Sequence, residues 1–562
     1  MAKKIIIIGG VAGGASCAAR LRRLNEQDQI IMIERGPYIS FANCGLPYHM
    51  SGAIADRDSL IVTTVEDFKQ KFNVDTRNFT EALTIDKKNK KITLKNLVSN
   101  TITEESYDIL VLSPGAEPIL PSIEGHHLPE VFVLRNIPDL DKIMNSLTHK
   151  KIKHVSIVGA GFIGLEVAEN LRERGLNVTL IEKAPQVMPL MDPEMSSFIE
   201  KEFTQRGVEV VTDAEVIKIE TLNELNLVLK KSDQSTFSIS TQMVLFAIGV
   251  RAEIKLAKEA GLEIGTLGGI KVDHSLRTSD NNIFAIGDAI ETFDRKSGAT
   301  VRLPLAGPAN RQGRIVADII QGRKVQYNGT IGTSIVKLFS LTAASVGLNE
   351  KTALHAKLNY KTAWVESKSH ASYYPGSEAV MLKIIFSAED GKILGAQAIG
   401  KKGIDKRIDV LATAIFANLT VFDLEDLDLA YAPPYSSAKD PINMAGMVAS
   451  GVLRGDHFAA DFHEYILERN KNPNSVVLLD VREKEEFIFE SIPGAISMPL
   501  STLRENLKNL NSEKKYFIFC QAGYRGYLAS RILIQNNFNV KNILGGFNLW
   551  KTSFSLKKKI TT

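Results

Sequence analysis

The sequence predicts an α/β protein in which two dinucleotide-binding units interleave, followed by an α+β segment and a last, small α/β unit. Two observations carry this expectation. A strand, a glycine turn, a helix and a second strand ending in an acid occur twice, within residues 4–34 and 154–182. Short apolar strands that run into glycine turns lie between and after them, at 107–115, 244–249 and 282–288. Such strands suit a chain that leaves one nucleotide domain, builds a second and returns to the first. A chain of 562 residues has the length for three or four domains.

The first unit runs from the apolar strand 4–8 through Gly9-Gly10-Val11-Ala12-Gly13-Gly14 into a helix over 15–24 and a strand that ends at Glu34. Glycines there let the backbone approach a pyrophosphate, the helix N-terminus favours its charge, and the acid accepts hydrogen bonds from a ribose. The turn departs from G-x-G-x-x-G in carrying Val11 at the middle glycine. The second unit, strand 154–158, Gly159-Ala160-Gly161-Phe162-Ile163-Gly164, a helix to Arg174 and a strand ending at Glu182, is a full match. Two such units imply two dinucleotides, one of them a hydride donor. Glu182 would repel a 2′-phosphate and so favours NADH over NADPH, while Lys183 beside it pulls the other way.

Just after the first unit, Ser40-Phe41-Ala42-Asn43-Cys44-Gly45-Leu46-Pro47-Tyr48 places one thiol in a loop with no second cysteine nearby. A lone thiol can hold one sulfur bond at a time, so its partner comes from the substrate or from oxygen, and both outcomes are redox chemistry. Cys17, inside the small-residue run 15–19, reads as a buried apolar residue. Three dispersed cysteines form neither a disulfide framework nor a zinc site, so no metal is expected and the chain is placed in a reducing cytoplasm. The net charge of +4 is mild, and the one dense basic run, 557–559, reads as a solvated tail. Neither a nucleic acid nor a membrane is expected as a partner, since no stretch approaches the apolar length of a membrane span.

GGVAGG, GAGFIG and NIFAIGDA, with the strand ends YDILVLSPGAEP and LFAIGVRAE, resemble the two-dinucleotide flavoprotein disulfide reductases of the pyridine nucleotide-disulfide oxidoreductase family. The resemblance implies Rossmann-like domains at 1–114 with 250–325 for FAD and at 115–249 for NADH or NADPH. It implies cofactor contacts from both glycine turns, Glu34, Arg35, Pro114, Gly115, Glu182, Gly249 and Gly287, with Asp288 hydrogen-bonded to the ribityl chain of the flavin. Within this family SFANCGLPY looks like the coenzyme A disulfide reductase branch, which uses a single cysteine, here Cys44, in place of the Cys-x4-Cys pair of glutathione reductase. That branch implies coenzyme A contacts from Ser16, Arg20 and Arg23, spaced along one face of the first helix, and from Ser40, Asn43 and Lys71. Tyr373, Tyr431 and Lys439 would be contributed across a homodimer.

Residues 330–450 alternate strands (379–386, 393–399) with a long helix at 403–418 and resemble the dimerisation domain of the same family. Its informative pieces are YYPG at 373–376 and AYAPPYS at 430–436. After a polar segment near 452–462, expected to join a separately moving unit, the chain begins again. The apolar strand 516–520 delivers Cys520 into Gln521-Ala522-Gly523-Tyr524-Arg525, where loop amides and a helix N-terminus favour an anion at the sulfur. Residues 460–558 resemble a rhodanese domain, with Cys520 carrying the persulfide, Arg525 closing the loop and Ser491 where a histidine often stands.

These resemblances imply FAD-dependent reduction of coenzyme A disulfide, coenzyme A persulfide or polysulfide by NAD(P)H through Cys44, coupled to a rhodanese sulfur carrier. One rival is an NADH oxidase or peroxidase cycling through a cysteine sulfenic acid. Those relatives place a histidine where Ala12 stands. The other rival is a non-catalytic sulfur carrier or redox sensor.

Overall fold

A computed structural model describes residues 2–221 and 223–553; the basic run 557–559 lies outside the described residues. The chain forms two compact units, Met1–Pro185 with Gly207–Thr330, and Gln186–Arg206 with Ile331–Thr562.

The first unit holds two five-stranded parallel sheets. One has the order Ile283–Ala285, Ile109–Leu112, Lys4–Ile8, Gln29–Ile33, Asp75–Arg77. Strands covered on both faces read as continuous apolar runs, and Ile5, Ile6 and Ile7 are fully buried. The helix Ala12–Leu24 begins three residues earlier than its sequence suggests, because Gly13 and Gly14 belong to its first turn. Small residues there serve packing: a Cβ on Gly313 of the helix Ala306–Ile320 would stand 2.3 Å from the Gly13 carbonyl oxygen. Cys17 lies in this seam, fully buried, and burial pushes its thiol well above the ordinary range.

The second sheet has the order Glu209–Val211, Asn177–Ile181, His154–Val158, Met243–Phe246, Val131–Val133. Ala116–Pro118 pairs antiparallel with Val250–Ala252 where the chain passes between the two sheets.

In the second unit, a five-stranded antiparallel sheet orders Ser334–Leu338, Leu341–Gly347, Ile393–Gly400, Ala379–Ser387 and Tyr360–Lys368. The helices Ile404–Phe416 and Pro441–Arg454 close its core through Leu411, Ile415, Ile442 and Ala445. A last parallel sheet runs Ala459–Ala460, Asn539–Ile543, Lys515–Phe519, Val476–Asp480, Ile496–Ser497.

Two stretches depart from expectation. Residues 186–206, inside the segment expected to form the second nucleotide domain, pack with the second unit. One strong anchor is Lys383, 3 % exposed on the sheet, where an unpaired ammonium would cost several kcal/mol. Its Nζ lies 2.7 Å from Asp192 Oδ2 and also meets Glu194 and Glu350. Burial opposes that charge, but the three carboxylates outweigh it and raise the lysine above its ordinary range.

The segment near 452–462 is not a free tether. The helix Pro441–Arg454 occupies its start, His457 and Ala460 are buried, and the last helix, Gly546–Ser553, packs on the helix Pro193–Gln205. Asn548 Nδ2 donates to Glu366 Oε2 at 2.8 Å, and the Ser197 and Ser553 hydroxyls meet at 3.1 Å. Polar side chains of the last domain find fixed partners on its neighbour, which local composition cannot reveal.

Candidate active site

Both glycine turns have the geometry that their spacing predicts. Gly9 and Gly159 sit at φ +99° and +105°, and a Cβ on either would strike the carbonyl oxygen of Ser113 or Ala247. Gly14 and Gly164 each stand so that a Cβ would lie 1.8 Å from the carbonyl oxygen of Gly9 or Gly159. Gly161 is different. Its φ of −80° is open to any residue and a Cβ there would meet none of the described residues, so the space in front of it is left free for a group to approach the backbone. Phe162 and Ile163 open the helix behind it. Glu34 accepts from the Gly10 and Gly36 amides (2.9 and 2.7 Å), and Glu182 from those of Ala160 and Ala184 (2.7 and 2.8 Å), so each acid is aimed by its own turn. Val11 is the N-cap residue of the first helix and Ala12 its first residue.

The residues of the first turn fit FAD. Gly115, Gly249 and Gly287 hold positive φ at the ends of their strands, beside Pro114. Burial raises the Asp288 carboxyl, with Arg135 and Arg302 pulling it back, and Asp288 has no side-chain hydrogen bond among the described residues. An acceptor left open there suits a polyol chain. Arg35, beside Glu34, pairs its guanidinium with Glu253 at 3.1 Å and Glu81 at 3.6 Å.

The loop before Cys44 is held against the first glycine turn. Ser40, at φ +44°, donates its amide to the Gly10 carbonyl and accepts from Val62. Asn43–Gly45 form a single 3₁₀ turn, with Asn43 and Cys44 both exposed. The helix Leu46–Ser51 that follows is fastened to the helix Phe162–Glu173: Tyr48 donates to Glu166 at 3.0 Å, Ser51 to Asn170 at 2.6 Å, and Arg174 to the Met50 carbonyl at 2.8 Å. The cysteine loop is thereby bonded to the helix that opens at the second glycine turn.

Partial desolvation of the sulfur, then the Glu166 and Asp288 charges, raise the Cys44 thiol from its ordinary value. Burial also raises Glu166, against its bond from Tyr48. Glu166 and Tyr48 had no role assigned from the sequence. The carboxylate lies 122 residues beyond the thiol, and only its place one turn into the second nucleotide helix pointed to it. Glu166→Gln keeps an acceptor for Tyr48 but removes a negative charge, so the pH midpoint of Cys44 alkylation should move down. A midpoint that moves up or stays would show that Glu166 does not act on the sulfur.

Tyr373 and Tyr431, 58 residues apart, bring their hydroxyls within 3.0 Å. Both are exposed, and the bond from Tyr431 is the first cause raising Tyr373. A buried arginine welds the two loops that carry them. Arg407, 1 % exposed, bonds the Ser369 carbonyl at 2.8 Å and the Asp440 carboxylate at 2.7 Å. Asp440 accepts in turn from Ser436, and the Ser436 carbonyl accepts from Ala371. Removing one member of such a buried pair costs about 3–5 kcal/mol.

Cys520 ends the strand Lys515–Phe519 and is 2 % exposed, with the Gly523 N–H donating to its Sγ at 3.1 Å. Arg525 makes a two-point bond to Glu486 at 2.5 and 2.8 Å, which lowers the Glu486 carboxyl and raises the guanidinium. Ser491 lies 3.5 Å from Asp480, itself bound to Arg482.

Of the other candidates, Ser16 bonds Asn310, and Arg20 pairs with Asp318 at 2.9 Å. Arg23, Lys71 and Lys439 are exposed.

Residues 3–313 match the pyridine nucleotide-disulphide oxidoreductases, 333–441 the dimerisation domain of that family and 463–553 a rhodanese-like domain. The chain belongs to the pyridine nucleotide-disulphide oxidoreductase family and is an oxidoreductase; the family implies FAD and NAD(P)H. It is 36% identical over 448 residues to the coenzyme A disulfide reductase of Staphylococcus haemolyticus, covering 80% of this chain and 99% of that one. The reduced Bacillus anthracis CoADR-RHD is similar over 99% of both chains, at 48% identity and a TM-score of 0.95. A NAD-dependent persulfide reductase from A. fulgidus is similar over 97% of this chain and 100% of its own, at 36% identity and a TM-score of 0.90. Among the described residues no helix is long and apolar enough to cross a membrane.

Proposed function

We propose that this chain reduces coenzyme A disulfide, coenzyme A persulfide or polysulfide with NADH or NADPH, as a homodimer, with the rhodanese domain as sulfur carrier. The observation that carries the reading is the single exposed thiol of Cys44 on a loop bonded to the first glycine turn and, through the helix that follows it, to the helix behind the second. Of the other cysteines, Cys17 is sealed in a helix seam and Cys520 lies in the last domain. On this reading residues 1–114 with 250–325 hold FAD, 115–249 apart from 186–206 the nicotinamide dinucleotide, 330–450 the dimer contact and 460–558 the sulfur carrier. The relatives named for coenzyme A disulfide and persulfide reduction support it.

The bound flavin and nicotinamide supply two electrons to a sulfur–sulfur bond. Cys44, as thiolate, attacks one sulfur of the substrate and displaces the other as a thiolate. From coenzyme A disulfide this leaves a Cys44 mixed disulfide and one coenzyme A thiolate. From coenzyme A persulfide, attack on the outer sulfur leaves a Cys44 persulfide and coenzyme A thiolate. Two electrons then break the new bond, restoring the Cys44 thiolate and releasing a second coenzyme A thiolate or hydrosulfide. The Tyr373–Tyr431 pair, brought by the second protomer, is assigned to protonate the departing sulfur. Glu166 and Asp288 act against excess negative charge at Cys44, which favours return of its proton once turnover ends.

Steady-state rates on the three substrates, each with NADH and NADPH, test the reading. Turnover on a sulfur substrate well above that on oxygen or peroxide is expected. Faster oxidation by peroxide or oxygen would select the oxidase, and flavin bleaching without turnover the sensor.

Coenzyme A recognition is assigned to Ser16, Arg20, Arg23, Ser40, Asn43, Lys71 and, from the second protomer, Lys439. Because Asp318 already neutralises Arg20, Arg23 should dominate phosphate binding. Arg20→Ala with Arg23→Ala should raise KM for coenzyme A substrates about tenfold while sparing polysulfide. An unchanged KM places the site elsewhere.

A further inference from the structure

His457 lies between the helix Pro441–Arg454 and the strand Ala459–Ala460, where the chain enters its last domain. It is 5 % exposed, its backbone N–H donates to the Gly451 carbonyl at 3.1 Å, and its ring packs edge-on against Tyr527 at 5.0 Å. Its Nε2 lies 3.0 Å from Asn542 Nδ2, and the same Nδ2 lies 3.3 Å from the Gly523 carbonyl oxygen. A carbonyl can only accept, so the amide must face Gly523 with its NH₂ group, and His457 Nε2 must then be the unprotonated ring nitrogen. Burial, and secondarily the Arg531 charge, push the imidazole down to about 4, which leaves it neutral near pH 7.

Gly523 carries both bonds: its carbonyl, on one side of the Cα, is held by Asn542, and its N–H, in the peptide on the other side, points at the Cys520 sulfur. Gly523 sits at φ +121°, ψ −33°, a conformation that side chains rarely adopt and that needs holding. The Asn542 amide has little room to turn, because its Oδ1 is buried against Gly526, where a Cβ would stand 2.3 Å from it.

We infer that His457 is a positioning residue for Cys520, fixing through the Asn542 amide the Gly523 N–H that stabilises negative charge on the sulfur. This deepens the sulfur-carrier reading and rests on it. A residue of the connecting segment thus completes the sulfur loop of the domain it introduces.

The test uses the full-length flavoenzyme and follows iodoacetamide alkylation of Cys520 at pH 7 by peptide mass spectrometry, which separates it from Cys44. His457→Phe keeps a ring against Tyr527 but loses the acceptor, while His457→Gln returns an acceptor near the Nε2 position. His457→Phe should slow Cys520 alkylation and thiosulfate-to-cyanide sulfur transfer about tenfold, the size of one good hydrogen bond, and leave coenzyme A disulfide reduction unchanged. His457→Gln should restore most of both. Wild-type rates in His457→Phe overturn the inference, and so does equal loss in Phe and Gln variants, which would make the ring a packing element only. If His457→Phe does not fold, Asn542→Ala removes both bonds from the other side and should give the same loss; wild-type alkylation there also overturns the inference. Should the wild-type enzyme transfer no sulfur at all, the carrier reading fails by itself, and alkylation still judges the positioning.

Discussion

Cys44→Ser should bind FAD and accept hydride from NADH as the parent does, yet lose reduction of coenzyme A disulfide and persulfide by about a thousandfold or more. Serine keeps the size of the side chain but its hydroxyl cannot exchange with a disulfide. The two glycine turns, Glu34, Glu182 and Asp288 lie on strand ends that do not depend on the 3₁₀ turn Asn43–Gly45, so cofactor binding is separable from sulfur chemistry. The measurement pairs flavin absorbance under anaerobic NADH with steady-state turnover. Substantial residual turnover would sink the assignment of Cys44 as the relay, and loss of flavin would show that the loop is part of the cofactor cradle.

The second large effect belongs to Cys520→Ala. Sulfur transfer to cyanide or a thiol should be abolished, and turnover on polysulfide or thiosulfate-like donors slowed. Coenzyme A disulfide reduction should stay within about twofold, since that substrate reaches Cys44 by diffusion. Cys520 lies in a core with Leu479, Ile518 and Leu533, so the truncation leaves a small void. Losing one sulfur atom costs about 1 kcal/mol against a domain stability of about 5–15 kcal/mol, too little to unfold the domain. Equal damage to every substrate would make Cys520 an obligate part of the Cys44 chemistry. No effect on any would leave the last domain without a part in sulfur traffic.

What the sequence made legible is what short-range geometry dictates. Gly14 and Gly164 are required because the carbonyl oxygens of Gly9 and Gly159, within the same six-residue turn, lie where their side chains would be, and Gly9 and Gly159 because the turn sets their φ at +99° and +105°. Glu34 and Glu182 follow at a fixed strand length, and Cys44 stands out because a lone thiol in a glycine-proline loop needs no distant partner to be noticed. The helix Pro193–Gln205 leaves its expected domain for Lys383, nearly 190 residues away, and no local pattern announces such a partner. Glu166 looked like one more residue of a nucleotide-binding helix, because only the fold brings Tyr48 to it. The family resemblance implies Arg20 as a coenzyme A contact on a helix face, and nothing near it in sequence announces Asp318, which the helix Ala306–Ile320 places against it. Electrostatic partners set by tertiary packing were the part that spacing could not supply.

The weld made by Arg407 bears on how the proposed homodimer would assemble. Fixing the backbone of a mobile loop costs about 1–2 kcal/mol per residue in conformational entropy. The two tyrosine loops, residues 369–378 and 430–440, are long enough for that to consume much of a dimer's binding energy if association had to order them. Arg407, Asp440, Ser436 and Ser369 already hold them in one protomer, with the Tyr373 and Tyr431 hydroxyls in contact before any second chain arrives. The ordering cost falls on folding, and dimerisation would join two surfaces already in shape.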